Sequence, residues 1–268
     1  MRRTTSTKYR NRLGLGLAVA AVFIVSSSTG SAQTAGATNA PPKHPWETTA
    51  AAGVTLTSGN SETLLATLTL DTKHKAEKAE TLAGIAAGYG QSEVTNPDNS
   101  TRTEKNTEFV NAFGQFNYLF SERFYAGLRL DGSYDGIAEL DYRIRISPLA
   151  GYYFIKKPKT SLSAEVGPSV VFEKHSGESE ETYLGFRLSE RFDHKLSDTT
   201  KIWEYVDYVP RVDEWVDKYV ITAEVGIDTA INKHWSLRVV FQDIYDSAPT
   251  PGRENNDLRL VASTAYKF

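Results

Sequence analysis

Arginine and carboxylate side chains recur at every second position in several stretches of this chain, and that spacing is the first chemical signal. Arg129 and Asp131 share one parity with Leu128 and Leu130 on the other, and Asp141, Arg143 and Arg145 stand likewise against Leu140, Tyr142 and Ile144. Asp257 and Arg259 alternate with Leu258 and Leu260, while Glu165, Arg187, Arg191, Lys218, Glu224 and Arg238 extend the charged set. Successive side chains of extended backbone point to opposite faces, so such segments carry one charged and one apolar face. A charged face of this kind can line a water-filled path and select among ions. It can equally interlock as a polar plug, because neighbouring segments carry charges of both signs. The arginine excess of the set favours anions if the path is open.

Other chemistry is poorly supplied. A nucleophilic hydrolase needs a histidine within hydrogen-bond reach of a serine. His44, His74, His194 and His234 lie near turns or ahead of the patterned region, and only His175 has serines close by, Ser176 and Ser179. A solvated loop histidine accounts for that grouping, so no catalytic residue is assigned. Histidine spacing offers no metal site, and nothing in the chain implies a cofactor. The absence of cysteine excludes disulfides, thiol catalysis, cysteine metal ligands and a lipid-bearing cysteine. Glu178, Glu180 and Glu181 form an acidic run of the kind usually met on solvated loops. Asn99-Ser100-Thr101 is a chance sequon, and Gly84, Gly88, Gly90, Gly127 and Gly151 are expected to relieve strand curvature.

The elements that must position the charged face begin after an export signal. Arg2, Arg3, Lys8, Arg10 and Arg12 precede an apolar run over 13–25, too short to span a bilayer as a helix. Gly30 and Ala32 then set small residues at the positions a signal peptidase reads, which predicts cleavage after Ala32. Residues 1–32 are read as signal peptide, 33–45 as a periplasmic linker and 46–268 as the folded unit. The leader takes five of the 30 basic side chains and none of the 33 acidic ones, so the exported chain is more acidic than the whole chain's net −3. Nucleic acid is excluded as a partner by that balance.

From Trp46 onward, twelve segments rich in Val, Ile, Leu, Thr, Tyr and Phe alternate with turn signals. They are expected over 46–58, 62–75, 79–94, 106–120, 124–136, 139–155, 160–173, 181–193, 200–211, 214–230, 234–246 and 256–268. Glu190 falls on the apolar parity of the eighth, which predicts a bulge there, and the ninth is ambiguous in register. Short and long connections alternate, the longest being 95–105, 174–180 and 247–255. Aromatic residues sort toward segment ends, as side chains at two membrane interfaces do. Lipid-facing and lumen-facing residues alternate in a membrane barrel, which explains why no later segment is uniformly apolar. The fold class is therefore all-β, a 12-stranded antiparallel transmembrane β-barrel of the outer-membrane type, with outer-membrane lipids and lipopolysaccharide as its surroundings.

The chain's end, alternating and closing in Tyr266-Lys267-Phe268, resembles the strand by which such barrels are presented to barrel-assembly machinery. Upstream, Trp46, Gly53 and Thr55 lead into Thr57-Ser58-Gly59-Asn60-Ser61, whose Gly-Asn pair suits a tight hairpin. Together these resemble the family of salt-induced outer-membrane proteins, over residues 46–268. That resemblance implies an envelope barrel and brings no catalytic residues. The function expected is non-enzymatic, with a narrow channel for small ions or solutes as its most concrete form. A phospholipase-like outer-membrane enzyme and a soluble periplasmic binding barrel are the alternatives.

Overall fold

The computed structural model describes residues 46–57, 63–95 and 100–268. The expected signal peptide, the 33–45 linker, the turn at 58–61 and Asn99 of the sequon lie outside the described residues. Twelve strands form: β1 (Trp46–Thr57), β2 (Thr63–Lys75), β3 (Ala79–Thr95), β4 (Thr101–Leu119), β5 (Phe124–Asp135), β6 (Leu140–Lys156), β7 (Thr160–His175), β8 (Glu181–Lys195), β9 (Thr200–Pro210), β10 (Tyr219–Ala230), β11 (Trp235–Asp246) and β12 (Asn256–Lys267). Each pairs antiparallel with its sequence neighbours, and β12 pairs with β1 to close the cylinder. All are at least as long as the roughly 9–11 residues a tilted strand needs to cross a bilayer.

The alternation of the sequence becomes the wall. Leu68, Leu70, Ile85, Phe116, Leu128, Leu130, Ile144, Leu188, Val225, Leu237 and Leu260 are exposed on the outside, whereas Gln115, Asn117, Ser147, Ser169, Arg187 and Asp207 are buried inside. A soluble protein reverses that arrangement. Tyr118, Phe120 and Phe124 pack in series at the short-turn end, the end that outer-membrane barrels turn to the periplasm, as do Trp235, Tyr266 and Phe268, with ring centroids 4.9–5.7 Å apart. One side chain organises each of three short inner turns. Ser121 Oγ accepts from Phe124 N (2.9 Å), Ser197 Oγ from Thr200 N (3.0 Å) and Asn232 Oδ1 from Trp235 N (2.9 Å).

Four departures from expectation have local causes. β4 begins at Thr101 and pairs with β3 from Thr95↔Thr101, so the hairpin climbs past the start of β4–β5 pairing at Phe109↔Asp135. β9 stops at Pro210, which has no N–H to offer a ladder, and 211–218 form a turn rather than the start of β10. A bulge between Leu140 and Tyr142 turns Leu140 inward. The bulge expected in β8 is absent: pairing with β7 is continuous from Glu173↔Glu181 to Thr160↔His194. Glu190 stays on the outward parity, opposite Ala164 and Val206.

Interior rings meet glycines. Trp203 lies directly opposite Gly226, Tyr125 opposite Gly151, Phe113 opposite Gly84 and Phe109 opposite Gly88. A Cβ on Gly226 would stand 2.0 Å from Trp203 Cζ2, and one on Gly88 would stand 2.3 Å from Phe109 Cε1. The glycines are thus sites of close approach by a ring from the next strand. Among the described residues the closing seam is the shortest ladder: β1 pairs with β2 along all 12 of its residues, but with β12 only from Thr49↔Lys267 to Ala52↔Thr264.

Candidate lumen and outer vestibule

Interior side chains of β4 to β9 join in one closed circuit. Arg129 Nη2 lies 2.8 Å from Asp131, Asp131 lies 3.1 Å from Arg145, and Arg145 reaches Asp207 at 2.8 Å. Asp207 meets Arg187 Nε at 2.7 Å, and Arg187 Nη1 meets Glu165 at 2.8 Å. Gln115 completes the circuit, donating to Glu165 (2.6 Å) and accepting from Arg129 (3.1 Å). Three guanidinium groups face three carboxylates, so the circuit is neutral. Arg187 is 1% exposed and Asp207 3%. Charges that deep persist only when paired and hydrogen-bonded, and Arg187 donates further to Ser189 (2.8 Å) and Tyr205 (3.2 Å).

Above and below this circuit, ion pairs cross the lumen. Arg143 on β6 is held by Glu173 on β7 and reaches Asp246 on β11 at 3.1 Å. Arg259 on β12 pairs with Asp135 on β5, its guanidinium 4.0 Å above the Phe109 ring. In a ring of twelve strands both contacts join nearly opposite walls. Nearer the periplasm, Arg238 binds Asp228 (3.0 Å) and Asp71 (3.1 Å), and Tyr153 donates to Glu80 at 2.6 Å. Glu224 accepts from Trp203 Nε1 at 2.7 Å.

Of the charged set expected to line the lumen, Arg129, Asp131, Arg145, Glu165 and Arg187 belong to the circuit, and Arg143, Arg238 and Arg259 to the crossing pairs. Asp257 lies half-buried on the inward parity of β12, two residues from Arg259, and Arg191 pairs with Asp193 (2.8 Å) at the inner mouth. Two do not belong. The Leu140 bulge brings Asp141 to the outer rim, where it accepts from Ser176 at 2.6 Å. Lys218 stands in the 211–218 turn, 3.1 Å from Glu214. The arginine excess is cancelled by partners the sequence reading omits, namely Asp207, Glu173, Asp246, Asp135, Asp228 and Asp71. Asp207 was hidden because Ile202, Trp203, Tyr205, Val206, Tyr208 and Val209 put apolar bulk on both parities of β9. Tyr266 and Phe268 join the periplasmic belt, and Phe268 N donates to Thr48 O at 3.0 Å across the seam.

The outer mouth holds a cavity of about 230 Å³ floored by Arg143 and Glu173 and walled by Tyr183, Arg211, Lys218 and Tyr219. The connection 247–255 lies over it, tied down far from its own strands. Thr250 Oγ1 stands 3.0 Å from His175 Nδ1, and Arg253 pairs with Glu139, a residue at φ 57° in the β5–β6 turn. His175 Nε2 is 3.2 Å from Glu173, so both ring nitrogens are engaged, and neither partner is the Ser176 or Ser179 of a hydrolase reading. Among the described residues no group of three His, Asp or Glu side chains could hold a metal ion.

A closed cylinder of twelve antiparallel strands, apolar outside and charged within, defines an outer-membrane β-barrel of porin-like form. Within that class the chain belongs to the family described as protein of unknown function, DUF481, whose model matches residues 50–268. It is 28% identical over 237 residues to the uncharacterized protein YdiY of Escherichia coli (strain K12), covering 84% of each chain. Among solved structures, the NanC porin matches with a TM-score of 0.50 at 5% identity, over 82% of this chain and 98% of that one. The KdgM porin matches with a TM-score of 0.44 at 12% identity, over 83% and 99%. The NanC likeness is one of fold.

Proposed function

We propose that the barrel is a narrow, non-enzymatic passage for water and small ions across the outer membrane, from which larger solutes are held back by the ion pairs that cross its lumen. The observation that carries this reading is Arg143, which extends from β6 to Asp246 on β11 beneath the 247–255 connection. Because the lumen arginines are paired, ion preference is set by local imbalance and is weak in the native protein. Purified protein in planar bilayers is expected to give small, steady conductance steps, and a silent trace in every salt removes the proposal. Changing Arg143 and Arg145 together to glutamate is expected to shift the reversal potential toward cation preference. An unchanged potential means those side chains do not border the path.

In this reading the outer band contacts outer-membrane lipids and lipopolysaccharide, and the Tyr266-Lys267-Phe268 end addresses the chain to barrel-assembly machinery. N-terminal sequencing of the mature protein is expected to begin at Gln33. The resemblance to salt-induced barrels adds that expression rises with external salt, which quantitative immunoblotting reads. Incubation of the detergent-solubilised protein with phospholipid is expected to release no fatty acid, and steady release would favour the enzyme reading instead.

A further inference from the structure

The 211–218 connection has two dissimilar sides. After Pro210 ends β9, Arg211 and Lys218 face the vestibule cavity. Val212 N instead donates to Leu184 O of β8 at 2.9 Å, and Lys218 N donates to Glu214 O at 2.8 Å, closing one helical turn that leans over the outside of β8. There the Trp215 ring sits 5.6 Å from Phe186, whose neighbours on the outward parity are Leu184 and Leu188. Val216 is 82% exposed and Trp215 43%. Asp213 and Glu214 turn the other way, Asp213 to Arg211 (2.9 Å) and Glu214 to Lys218 (3.1 Å). The apolar side is continuous with the lipid-facing wall and with a row of outer rings, Tyr208, Tyr219 and Tyr245, spaced 5.5 and 5.8 Å apart.

A tryptophan flanked by exposed valines at the rim of a membrane band matches the headgroup level of a bilayer, where indole is favoured and apolar surface leaves water. We infer that 211–218 is a lipid anchor. Val212, Trp215 and Val216 rest in the outer leaflet at the boundary of headgroups and acyl chains, holding Arg211 and Lys218 in place as one wall of the vestibule. The anchor is independent of whether the lumen conducts. Its occupant is lipid rather than a second copy of the chain, since the patch continues the surface that lipid already covers.

The chain has no cysteine, so one introduced thiol reports one position. V216C is labelled with an environment-sensitive fluorophore and reconstituted in phosphatidylcholine bilayers carrying doxyl quenchers at shallow or deep acyl positions. E254C, in the exposed 247–255 connection, is the reference. The label at 216 is expected to emit to the blue of the reference, to be quenched most by the shallow doxyl group, as fits a depth of about 5–10 Å, and to resist aqueous iodide. Adding W215S is expected to return that label to water, whereas W215F keeps it in place. Heat-modifiable mobility verifies that each variant is folded. Equal iodide quenching at 216 and 254 overturns the inference. So does a blue shift that vanishes when barrels are diluted to one per nanodisc, because the cover would then be another copy.

Discussion

Removing the Arg187 guanidinium tests whether the interior circuit is a dry structural element or a wet ornament. R187M keeps the length of the side chain and deletes its ion pairs with Glu165 and Asp207 and its hydrogen bonds to Ser189 and Tyr205. Breaking a buried pair on one side costs about 3–5 kcal/mol, because the abandoned charge stays desolvated. Here the loss falls toward the lower end. Asp207 keeps Arg145 at 2.8 Å, and Glu165 keeps Gln115 and the Tyr125 hydroxyl at 2.6 and 2.9 Å. The expected destabilisation is therefore about 3 kcal/mol. Urea unfolding of barrels refolded in lipid, followed by tryptophan emission and heat-modifiable mobility, measures it. D207N added to R187M restores neutrality and is expected to recover about 1–2 kcal/mol as a coupling between contacting residues. A loss under about 1 kcal/mol, the range of exposed pairs, would show that water enters the circuit and refute the argument from burial.

Three further outcomes follow from the geometry. The double variant R143A/D246A removes a crossing pair and leaves Glu173 to His175 at 3.2 Å and the Tyr183 hydroxyl at 3.1 Å, and single-channel conductance is expected to rise above that of the native protein. G226V places methyl groups where the Trp203 ring lies, and overpacking of this kind is expected to destabilise by about 1–3 kcal/mol in the same urea assay. F268S removes an aromatic residue from the periplasmic belt, and the fraction of heat-modifiable, folded protein in outer-membrane preparations is expected to fall.

Strand number and facing were legible because lipid outside and charge inside impose a strict period of two, as at Leu128 to Asp131. Register was not. It depends on events one residue long, such as the bulge that turns Leu140 inward and Asp141 to the rim, or the turn that follows Pro210 and takes Lys218 out of β10. Partners across the lumen were also hidden, since Arg143 and Asp246 stand 103 residues apart and only closure of the cylinder makes them neighbours. One register signal does lie in the sequence: the interior positions of β3, β6 and β10 hold glycines directly opposite rings on the adjoining strands, as at Gly88 and Phe109. Small residues facing large ones at equal depth mark pairing as surely as turn lengths do.

The brief join between β1 and β12 bears on how the finished cylinder behaves under thermal agitation. Four rungs near the periplasm fasten it, from Thr49↔Lys267 to Ala52↔Thr264, with Phe268 clipped to Thr48 below them. Backbone groups left bare in hydrocarbon are penalised heavily, so any parting there is short-lived, yet among the described residues fewer bonds must break than at any other join. The molecule thus resembles a cuff with a single fastener: the join that takes the fewest bonds to close also takes the fewest to open.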